Sequence, residues 1–288
     1  MDIERRMRTA KDLTPTEQQL AQTVLAMGER IQGCSIKELA RAASASIASI
    51  HRLCKKLGLE GYKELKVGLA RSAAAHRARP ESVDINFPFM SNEHAEAIAP
   101  RMELLYETTL RETREALDTD ALNHAAELIA RASGVDIYTQ SHNLYPAQMF
   151  CDRLLSAGIS ATCHEGLERQ VRTALTSDSK RVAIAISYSG NAMNLSTLFP
   201  LLSERRTPVI FVGTVHATAR HPGLETYLTL SDHENMQNRI TQFASHLAVQ
   251  FVLDTLFSCV FALDYDERYA FLTRSMPYTK LPGVGANE

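Results

Sequence analysis

The sequence predicts two folded domains, an all-α domain at the N-terminus followed by an α/β domain with a mostly parallel sheet flanked by helices. Its 288 residues exceed the ~150 residues of an average domain. Up to Arg79 it carries 15 Lys and Arg against 8 Asp and Glu, a net charge of +7, whereas the rest carries 16 against 25, or −9. Capped helical patterns fill the basic part, and Val/Ile-rich runs alternate with helical patterns in the acidic part. A small basic domain on a larger acidic one indicates that the first meets a polyanion.

Three helices are predicted in the basic part. Thr14-Pro15-Thr16-Glu17 is a capping box that begins a helix reaching about Met27. A second box, Ser35-Ile36-Lys37-Glu38, begins a short helix. Ser46 can cap the third, and Gly58 lies just past its end as a stop signal.

The second and third of these helices have the spacing of a helix-turn-helix. Ala40, Ser44 and Ile50 stand where that motif needs a small residue at the crossing, a tight turn and an apolar lock. Ser44 stands at a position of the turn where glycine is frequent, and a positive φ there would cost roughly 1 kcal/mol of stability. A solvated basic face is the alternative, but the capping boxes and the charge of +7 favour DNA. The predicted DNA contacts are Ser46, Ala48, Ser49, His51, Arg52, Lys55 and Lys56.

The predicted domains cover residues 1–78 and 92–288, with a linker at residues 79–91. The sequence before residue 92 is Ala-rich and then interrupted by Pro80 and Pro88, without a sustained hydrophobic period. Two helices follow, at about residues 92–117 and from a Thr119 cap to Arg131. The linker is therefore placed where neither domain has a repeating pattern.

Strand and helix patterns alternate after Gly134. The predicted strands cover residues 135–139, 159–163, 182–187, 208–213 and 227–230. Helices are predicted from Leu144, near Glu168 and from Asn191, and a long one from about Asn235 to Leu263. This alternation is typical of a parallel sheet covered on both faces, where ligands bind at strand carboxyl ends.

A serine-rich loop follows the most apolar strand. Ser187-Tyr188-Ser189-Gly190-Asn191 offers two hydroxyls, a flexible glycine and the N-terminus of a helix, which together suit a phosphate. An ordinary serine N-cap is the alternative. No G-x-G-x-x-G or Walker A motif occurs in the chain, so no dinucleotide, ATP or other cofactor is predicted.

The basic domain resembles the N-terminal domain of the RpiR family of bacterial transcriptional regulators. The resemblance rests on residues 35–40, on residues 46–57 and on the run Leu57-Gly58-Leu59-Glu60-Gly61-Tyr62-Lys63-Glu64-Leu65-Lys66. The loop Ile186-Ser187-Tyr188-Ser189-Gly190 resembles the phosphate-binding loop of the SIS domain, the sugar isomerase fold that forms the effector-binding half of these regulators. The resemblance implies a sugar phosphate effector, with Ser187 and Ser189 on the phosphate.

Two departures from the family pattern indicate a remodelled pocket. Ala192 and Asn194 stand where family loops carry a Thr and an acidic residue, and the sequence from Thr139 to Asn143 replaces a Gly-x-Gly-Ser-Ser loop. The expected ligand is an unusual sugar phosphate or a related polar metabolite. The expected effector contacts are Ser141, His142, Asn143, Ser187, Ser189, Gly190, Asn191 and Glu234.

Two alternatives remain open for the second domain. It could be a dimerisation domain without a ligand, or a sugar-phosphate isomerase within a bifunctional chain. Glu234, Glu165 and His142 are candidate acids and bases for an isomerase, but no motif places them. Because an enzyme has no need for a basic helix-turn-helix, the sequence favours a regulator that is not an enzyme.

The remaining features favour a cytoplasmic homodimer or homotetramer. Residues 243–263 are interrupted by His246, Gln250 and Asp254, which argues against a transmembrane helix, and the charged N-terminus lacks a secretory pattern. Apolar helical positions predict dimer contacts at Phe243, Leu247, Phe251 and Phe257. The scattered cysteines are expected to be free thiols, and no metal site is predicted because the histidines at 164, 216, 221 and 233, expected in loops or at the surface, lack metal spacing.

Overall fold

The computed structural model describes Ile3, Arg6, Met7, Ala10, residues 13–77 and residues 82–279. The chain divides into two compact units, one of Met1–Ser82 with His94–Arg101 and one of Val83–Glu93 with Met102–Glu288. The predicted linker falls partly on residues 78–81, which lie outside the described residues. The exact domain boundary therefore stays a prediction.

The first unit is all-helical. Its elements are α1 (Pro15–Met27), a 3₁₀ turn (Gly28–Gly33), α2 (Ile36–Ala42), α3 (Ile47–Lys56) and α4 (Tyr62–Arg77). Thr14 and Ser35 each form the predicted capping box, and the Ser46 side chain accepts from the backbone N–H of Ser49 at 3.1 Å. The three caps read from the sequence are thus confirmed.

A left-handed residue ends each of the two helices of the helix-turn-helix. Ser44 has a φ of 49°, and its N–H donates to the Arg41 carbonyl at 3.2 Å, while the Ala45 N–H donates to that of Ala40 at 2.9 Å. This pair of bonds is a Schellman motif, which normally has glycine at the left-handed position. Gly58, with a φ of 68°, ends α3 in the same way. The tight turn is therefore built on a strained serine.

The Leu-Gly-x-x-Gly-Tyr-x-Glu-Leu-Lys run fastens α4 to the 3₁₀ turn. The Tyr62 hydroxyl donates to the Cys34 carbonyl at 2.9 Å, and Lys66 Nζ donates to the Gln32 carbonyl at 3.2 Å. Leu57 and Leu65 are buried in the core of this unit. The motif thus fixes α4 to the 3₁₀ turn, and its leucines belong to the core on which α2 and α3 pack.

The second unit is an α/β domain. Its elements are α5 (Ala95–Ala116, which starts within the first unit), α6 (Thr119–Arg131), β1 (Gly134–Tyr138), α7 (Leu144–Ser156), β2 (Ala161–Cys163), α8 (Leu167–Thr176), β3 (Arg181–Ile186), α9 (Leu195–Glu204), β4 (Val209–Thr214), α10 (Val215–Arg220), β5 (Thr226–Leu230), α11 (Ala244–Leu263) and α12 (Tyr265–Thr279).

The five strands form one parallel sheet in the order β2-β1-β3-β4-β5. Separate apolar clusters cover its two faces, one built with α6, α7 and α11 and the other with α8 and α9. After β1 the chain forms the edge strand β2 and then crosses back to place β3 on the other side of β1. The direction in which strands are added therefore reverses between β1 and β3. Ligands of open α/β sheets bind at such a switch point.

Three predicted helix starts are wrong. The cap of α6 is Asp118, not Thr119, because its carboxylate accepts from the next two backbone N–H groups. The helix expected from Asn191 begins at Leu195, after an extended loop. The helix expected from Asn235 begins at Ala244, since the Asn235 side chain accepts from the N–H groups of Gln237 and Asn238 and forms a turn.

Helix α11 is long and apolar enough to cross a membrane by length and composition alone. It instead contributes Ala248, Val252 and Leu256, among others, to the larger core cluster and packs against α6 and α7. All five cysteines are free thiols, of which Cys34, Cys54 and Cys151 are buried. These features fit a core helix and the expected core thiols.

Candidate functional site

The exposed face of α3 is the candidate nucleic-acid interface. Side chains that face solvent on α3 and its cap include Ser46, Ala48, His51, Arg52 and Lys55. Small residues lie at the N-terminal end of this face and cations at its C-terminal end, as a helix entering the major groove requires. The opposite face, with Ile50 and Leu53, is fully buried.

Ser49 does not belong to the exposed face. It is 4% exposed, its hydroxyl lies 2.9 Å from that of Ser46, and it accepts from Nη2 of Arg52 at 2.9 Å. The predicted outward position was wrong because Ser49 lies in the capping turn, where its oxygen satisfies local donors. Ser49 therefore orients Arg52.

Lys56 also forms an ion pair within the domain. Its ammonium lies 2.8 Å from Oε2 of Glu17, a carboxylate on α1 that is 2% exposed, and Arg52 Nε lies 4.0 Å from the other oxygen. The hydrogen bond from Lys56, followed by that from the Thr14 backbone, lowers the pKa of Glu17 to about 2. Lys56 thus secures α3 against α1, although it remains exposed, as Lys55 does.

The candidate effector site lies at the switch point of the sheet. The loop of residues 139–143 follows β1 and the loop of residues 187–194 follows β3, so the topology brings both to the same edge. A bond from Thr139 Oγ1 to the Ile186 carbonyl, at 3.0 Å, joins the two strand ends. Most of the predicted effector contacts therefore lie on loops at the carboxyl ends of two neighbouring strands.

The loop after β3 has a fixed inner part and an accessible outer part. Ser187 is buried, and its hydroxyl accepts from the Gly190 N–H at 3.1 Å. Ser189 is half-exposed, and its hydroxyl accepts from the Asn191 N–H at 3.3 Å. In the first turn of α9, the N–H groups of Leu195 and Thr197 already donate to the carbonyls of Ala192 and Asn194. Ser189 is thus better placed than Ser187 to meet an anion.

Gly190 is required where the loop crosses α10. Its φ is 72°, and a Cβ atom there would lie 2.9 Å from Cα of Ala217. The Gly190 carbonyl lies 2.8 Å from Nε2 of His221, whose ring packs against Phe199 and Phe211. His221 lies in a loop, as expected, and its ring supports the loop after β3 through this contact.

A buried amide joins three loops at the carboxyl end of the sheet. Gln170 on α8 donates to the carbonyls of Thr139 and His164 at 2.8 and 2.7 Å, and its oxygen accepts from Asn194 Nδ2 at 2.7 Å. Asn194 is fully buried and its Oδ1 has no partner among the described residues. Asn194, in place of the family's acidic residue, therefore secures the loop through a neutral bond. Nothing in the sequence pattern singled out Gln170.

Both carboxylate oxygens of Glu234 have partners within the protein. Its Oε1 accepts from the Ala244 N–H at 3.2 Å, and its Oε2 accepts from the Ser245 N–H at 3.0 Å and lies 2.7 Å from Arg239 Nη1. The Glu234 N–H donates to the Tyr188 hydroxyl at 3.3 Å. Glu234 thus caps α11 and holds Arg239, which the sequence reading missed. The isomerase candidate Glu165 is exposed.

The loop after β1 carries unpaired polar atoms. Ser141 adopts a φ of 57°, a left-handed conformation that favours glycine. Nε2 of His142 and Oδ1 of Asn143 are buried without a partner among the described residues. Burial lowers the pKa of His142, and the nearby charge of Arg239 lowers it further, so the imidazole is neutral at pH 7. These atoms are free to bond a ligand.

Comparisons with known proteins agree with this architecture. Residues 1–76 match the helix-turn-helix domain, rpiR family. An uncharacterized HTH-type transcriptional regulator of Caldanaerobacter subterraneus subsp. tengcongensis is 26% identical over 91% of both chains, and one of Bacillus subtilis is 22% identical, again over 91% of both.

Solved structures share the fold. The Vibrio vulnificus NanR protein complexed with ManNAc-6P has a TM-score of 0.57 and 18% identity over 96% of this chain and 97% of its own. The sugar isomerase domain of an RpiR transcription factor from Sphaerobacter thermophilus scores 0.55 at 15% identity, over 62% of this chain and 98% of its own. A Listeria monocytogenes protein named as a sugar-phosphate isomerase scores 0.54 at 18% identity, over 66% of this chain and 100% of its own.

Proposed function

We propose that the chain is a transcriptional regulator of the RpiR family, whose helix-turn-helix domain matches residues 1–76, and that a sugar phosphate bound at the carboxyl end of its sheet modulates its affinity for operator DNA. One observation carries the proposal: a helix-turn-helix with an exposed basic helix and a serine loop at a sheet switch point occur in one chain. The Vibrio vulnificus NanR protein, which shares the fold over nearly the whole chain, is complexed with ManNAc-6P. The phosphorylated ligand of that protein supports the assignment.

We propose that the operator is pseudo-palindromic and bound by a homodimer or homotetramer, with recognition helices ~34 Å or a multiple apart. Support comes from Phe243, Leu247, Phe251 and Phe257, which are apolar yet only half-buried. A monodisperse monomer at micromolar concentration in light scattering contradicts this assembly. The expected location is the cytoplasm, away from any membrane.

The DNA-binding proposal is tested by fluorescence anisotropy on the intergenic DNA upstream of the regulator's own operon. Arg52→Ala should relax base preference at a cost of ~1–3 kcal/mol if Arg52 reaches a guanine edge. Lys55→Ala should weaken binding to all sequences alike and reduce the salt slope by about 1. Binding that does not depend on salt, or no binding to that DNA, contradicts the proposal.

The effector proposal is tested by Ser189→Ala. Because Ser189 lies in the loop after β3, its replacement should abolish the response to a sugar phosphate and leave DNA binding without effector unchanged. Typical couplings are ~1–3 kcal/mol, and DNA must change effector affinity by the same factor. A wild-type response from Ser189→Ala places the ligand elsewhere.

The structure supports a regulator over an isomerase for one reason. The Glu234 carboxylate, a candidate base, accepts two backbone bonds and pairs with Arg239. A carboxylate held in this way is poorly suited to removing a proton from a sugar carbon. Aldose–ketose interconversion by the purified chain would favour the bifunctional alternative.

A further inference from the structure

Arg239 is a buried cation, and three of its five N–H donors have no partner among the described residues. Its side chain is 10% exposed, and the described contacts of its guanidinium all involve Nη1, which reaches Glu234, Met236 Sδ and Ser245 Oγ. Within the described part of the chain, no acceptor meets Nε or Nη2. These two nitrogens form the edge of the guanidinium that binds a carboxylate through two parallel hydrogen bonds.

Arg239 is connected to both loops of the proposed effector site. Glu234, the partner of Arg239, bonds through its N–H to the hydroxyl of Tyr188 in the loop after β3. On the other side, Nη1 of Arg239 lies 3.4 Å from Oγ of Ser245 in the first turn of α11, and α11 packs against residues 141–143 of the loop after β1. Arg239 therefore belongs to a cluster that joins both loops of the switch point.

Unpaired polar atoms accompany the cation. Asn143 is 7% exposed, and its Oδ1 and the Nε2 of His142 are buried without a partner among the described residues. Buried polar atoms are rarely left unpaired, because each loses the hydrogen bonds that water would supply. A carboxylate on Arg239, with a neighbouring hydroxyl on Asn143 and His142, would satisfy all of these groups together.

We propose that the effector is a phosphorylated sugar acid, whose carboxylate binds the free edge of Arg239 while its phosphate binds the loop of residues 187–194. This deepens the proposed function and rests on it. Glu234 then acts as a positioning residue, because it occupies Nη1 and turns the opposite edge of the guanidinium away from itself. His142 and Asn143, which stand in the loop after β1 where the family has a Gly-x-Gly-Ser-Ser loop, supply the contacts to the hydroxyl groups of the sugar.

A matched pair of ligands tests the proposal by calorimetry with the full-length protein. The open-chain compounds 6-phosphogluconate and glucitol 6-phosphate share the phosphate and differ at C1, where one has a carboxylate and the other a hydroxymethyl group. The wild type should bind 6-phosphogluconate about 10- to 100-fold more tightly, the range expected for charge-assisted hydrogen bonds. Arg239→Gln should reduce this ratio to below about threefold, and Arg239→Lys should give an intermediate ratio.

Three controls separate the possible failures. Arg205→Gln, at the exposed C-terminal end of α9, should keep the wild-type ratio. The double variant Glu234→Gln with Arg239→Gln removes the charge that Arg239→Gln alone leaves unpaired, and it should show the same low ratio if the variant fold is intact by thermal unfolding. Ser189→Ala should weaken both ligands by the same factor.

Equal affinity of the wild type for the two ligands, with both weakened by Ser189→Ala, overturns the carboxylate site and leaves the proposed function standing. A preference for 6-phosphogluconate that survives in Arg239→Gln also overturns it. Binding of neither compound at millimolar concentration overturns the sugar-acid proposal, and the response of DNA binding to other sugar phosphates then decides the proposed function.

Discussion

Lys56 Nζ lies 2.8 Å from Oε2 of Glu17, so the last turn of the recognition helix is fixed to α1 by an ion pair. The same oxygen accepts from the Thr14 N–H at 2.9 Å and completes the capping box of α1. One buried carboxylate therefore both caps the first helix and positions α3, which we propose contacts DNA.

Removal of Lys56 should destabilise the first domain. Lys56→Ala leaves the buried Glu17 carboxylate with only the more distant Arg52 as a cation, and we expect a loss of about 1–3 kcal/mol in the free energy of unfolding. Lys55→Ala, at an exposed neighbour, should change it by less than about 0.5 kcal/mol. Hydrogen exchange of α1 and α3 measures both, and equal stability of the two variants would show that the pair contributes nothing.

The stability of the first domain should depend on pH through Glu17. Its pKa is lowered from 4.5 to about 2 in the folded protein. A depressed folded pKa means that the contribution is complete above pH 4.5 and is lost as the pH falls towards 2. The difference in unfolding free energy between wild type and Glu17→Gln should be constant from pH 7 to 5 and shrink below pH 4.5. A constant difference down to pH 2.5 contradicts the assignment.

Ser44→Gly should stabilise the helix-turn-helix. A left-handed φ costs a non-glycine residue ~1–2 kcal/mol, and the greater freedom of glycine in the unfolded chain offsets ~0.4–1 kcal/mol of the relief. We expect a net gain of about 0.5–1 kcal/mol in chemical denaturation. The matched variant Ala42→Gly, at the exposed end of α2, should lose ~0.5–1 kcal/mol. Loss of stability in both would rule out strain at residue 44.

Gly190→Ala should silence the effector response. A Cβ atom at residue 190 meets the backbone of Ala217 at 2.9 Å, so the loop after β3 must move. Gly166→Ala is the control, since a Cβ atom there has no neighbour within 4 Å. Anisotropy with and without a sugar phosphate should show no response for Gly190→Ala and a normal one for Gly166→Ala. DNA binding without effector should be unchanged in both.

The secondary structure of the first domain was predictable because its signals are local. The capping oxygens of Thr14, Ser35 and Ser46 and the stop at Gly58 act within four residues of where they stand in the sequence. The alternating strands predicted the parallel sheet for the same reason. The sequence pattern was enough to place the loop of residues 187–191 at the end of a buried strand.

The sequence did not predict which side chains form hydrogen bonds or ion pairs with residues far away in the chain. Lys56 and Glu17 are 39 residues apart, and Glu234 finds its backbone donors ten and eleven residues later, after an irregular turn. Periodicity indicates which face a residue occupies, and it says nothing about a partner on another element. For this reason the ion pair of Lys56 with Glu17 was not predicted, and both Arg239 and Gln170 were missed.

The hydrogen bonds of Gln170 limit how the loops of the candidate effector site can differ among relatives. One side-chain amide binds the loops after β1, β2 and β3, so an insertion in any of them strains its bonds to the other two. New ligand preferences should therefore arise by exchange of side chains on loops of constant length. Length variation in these three loops should be accompanied by replacement of the glutamine.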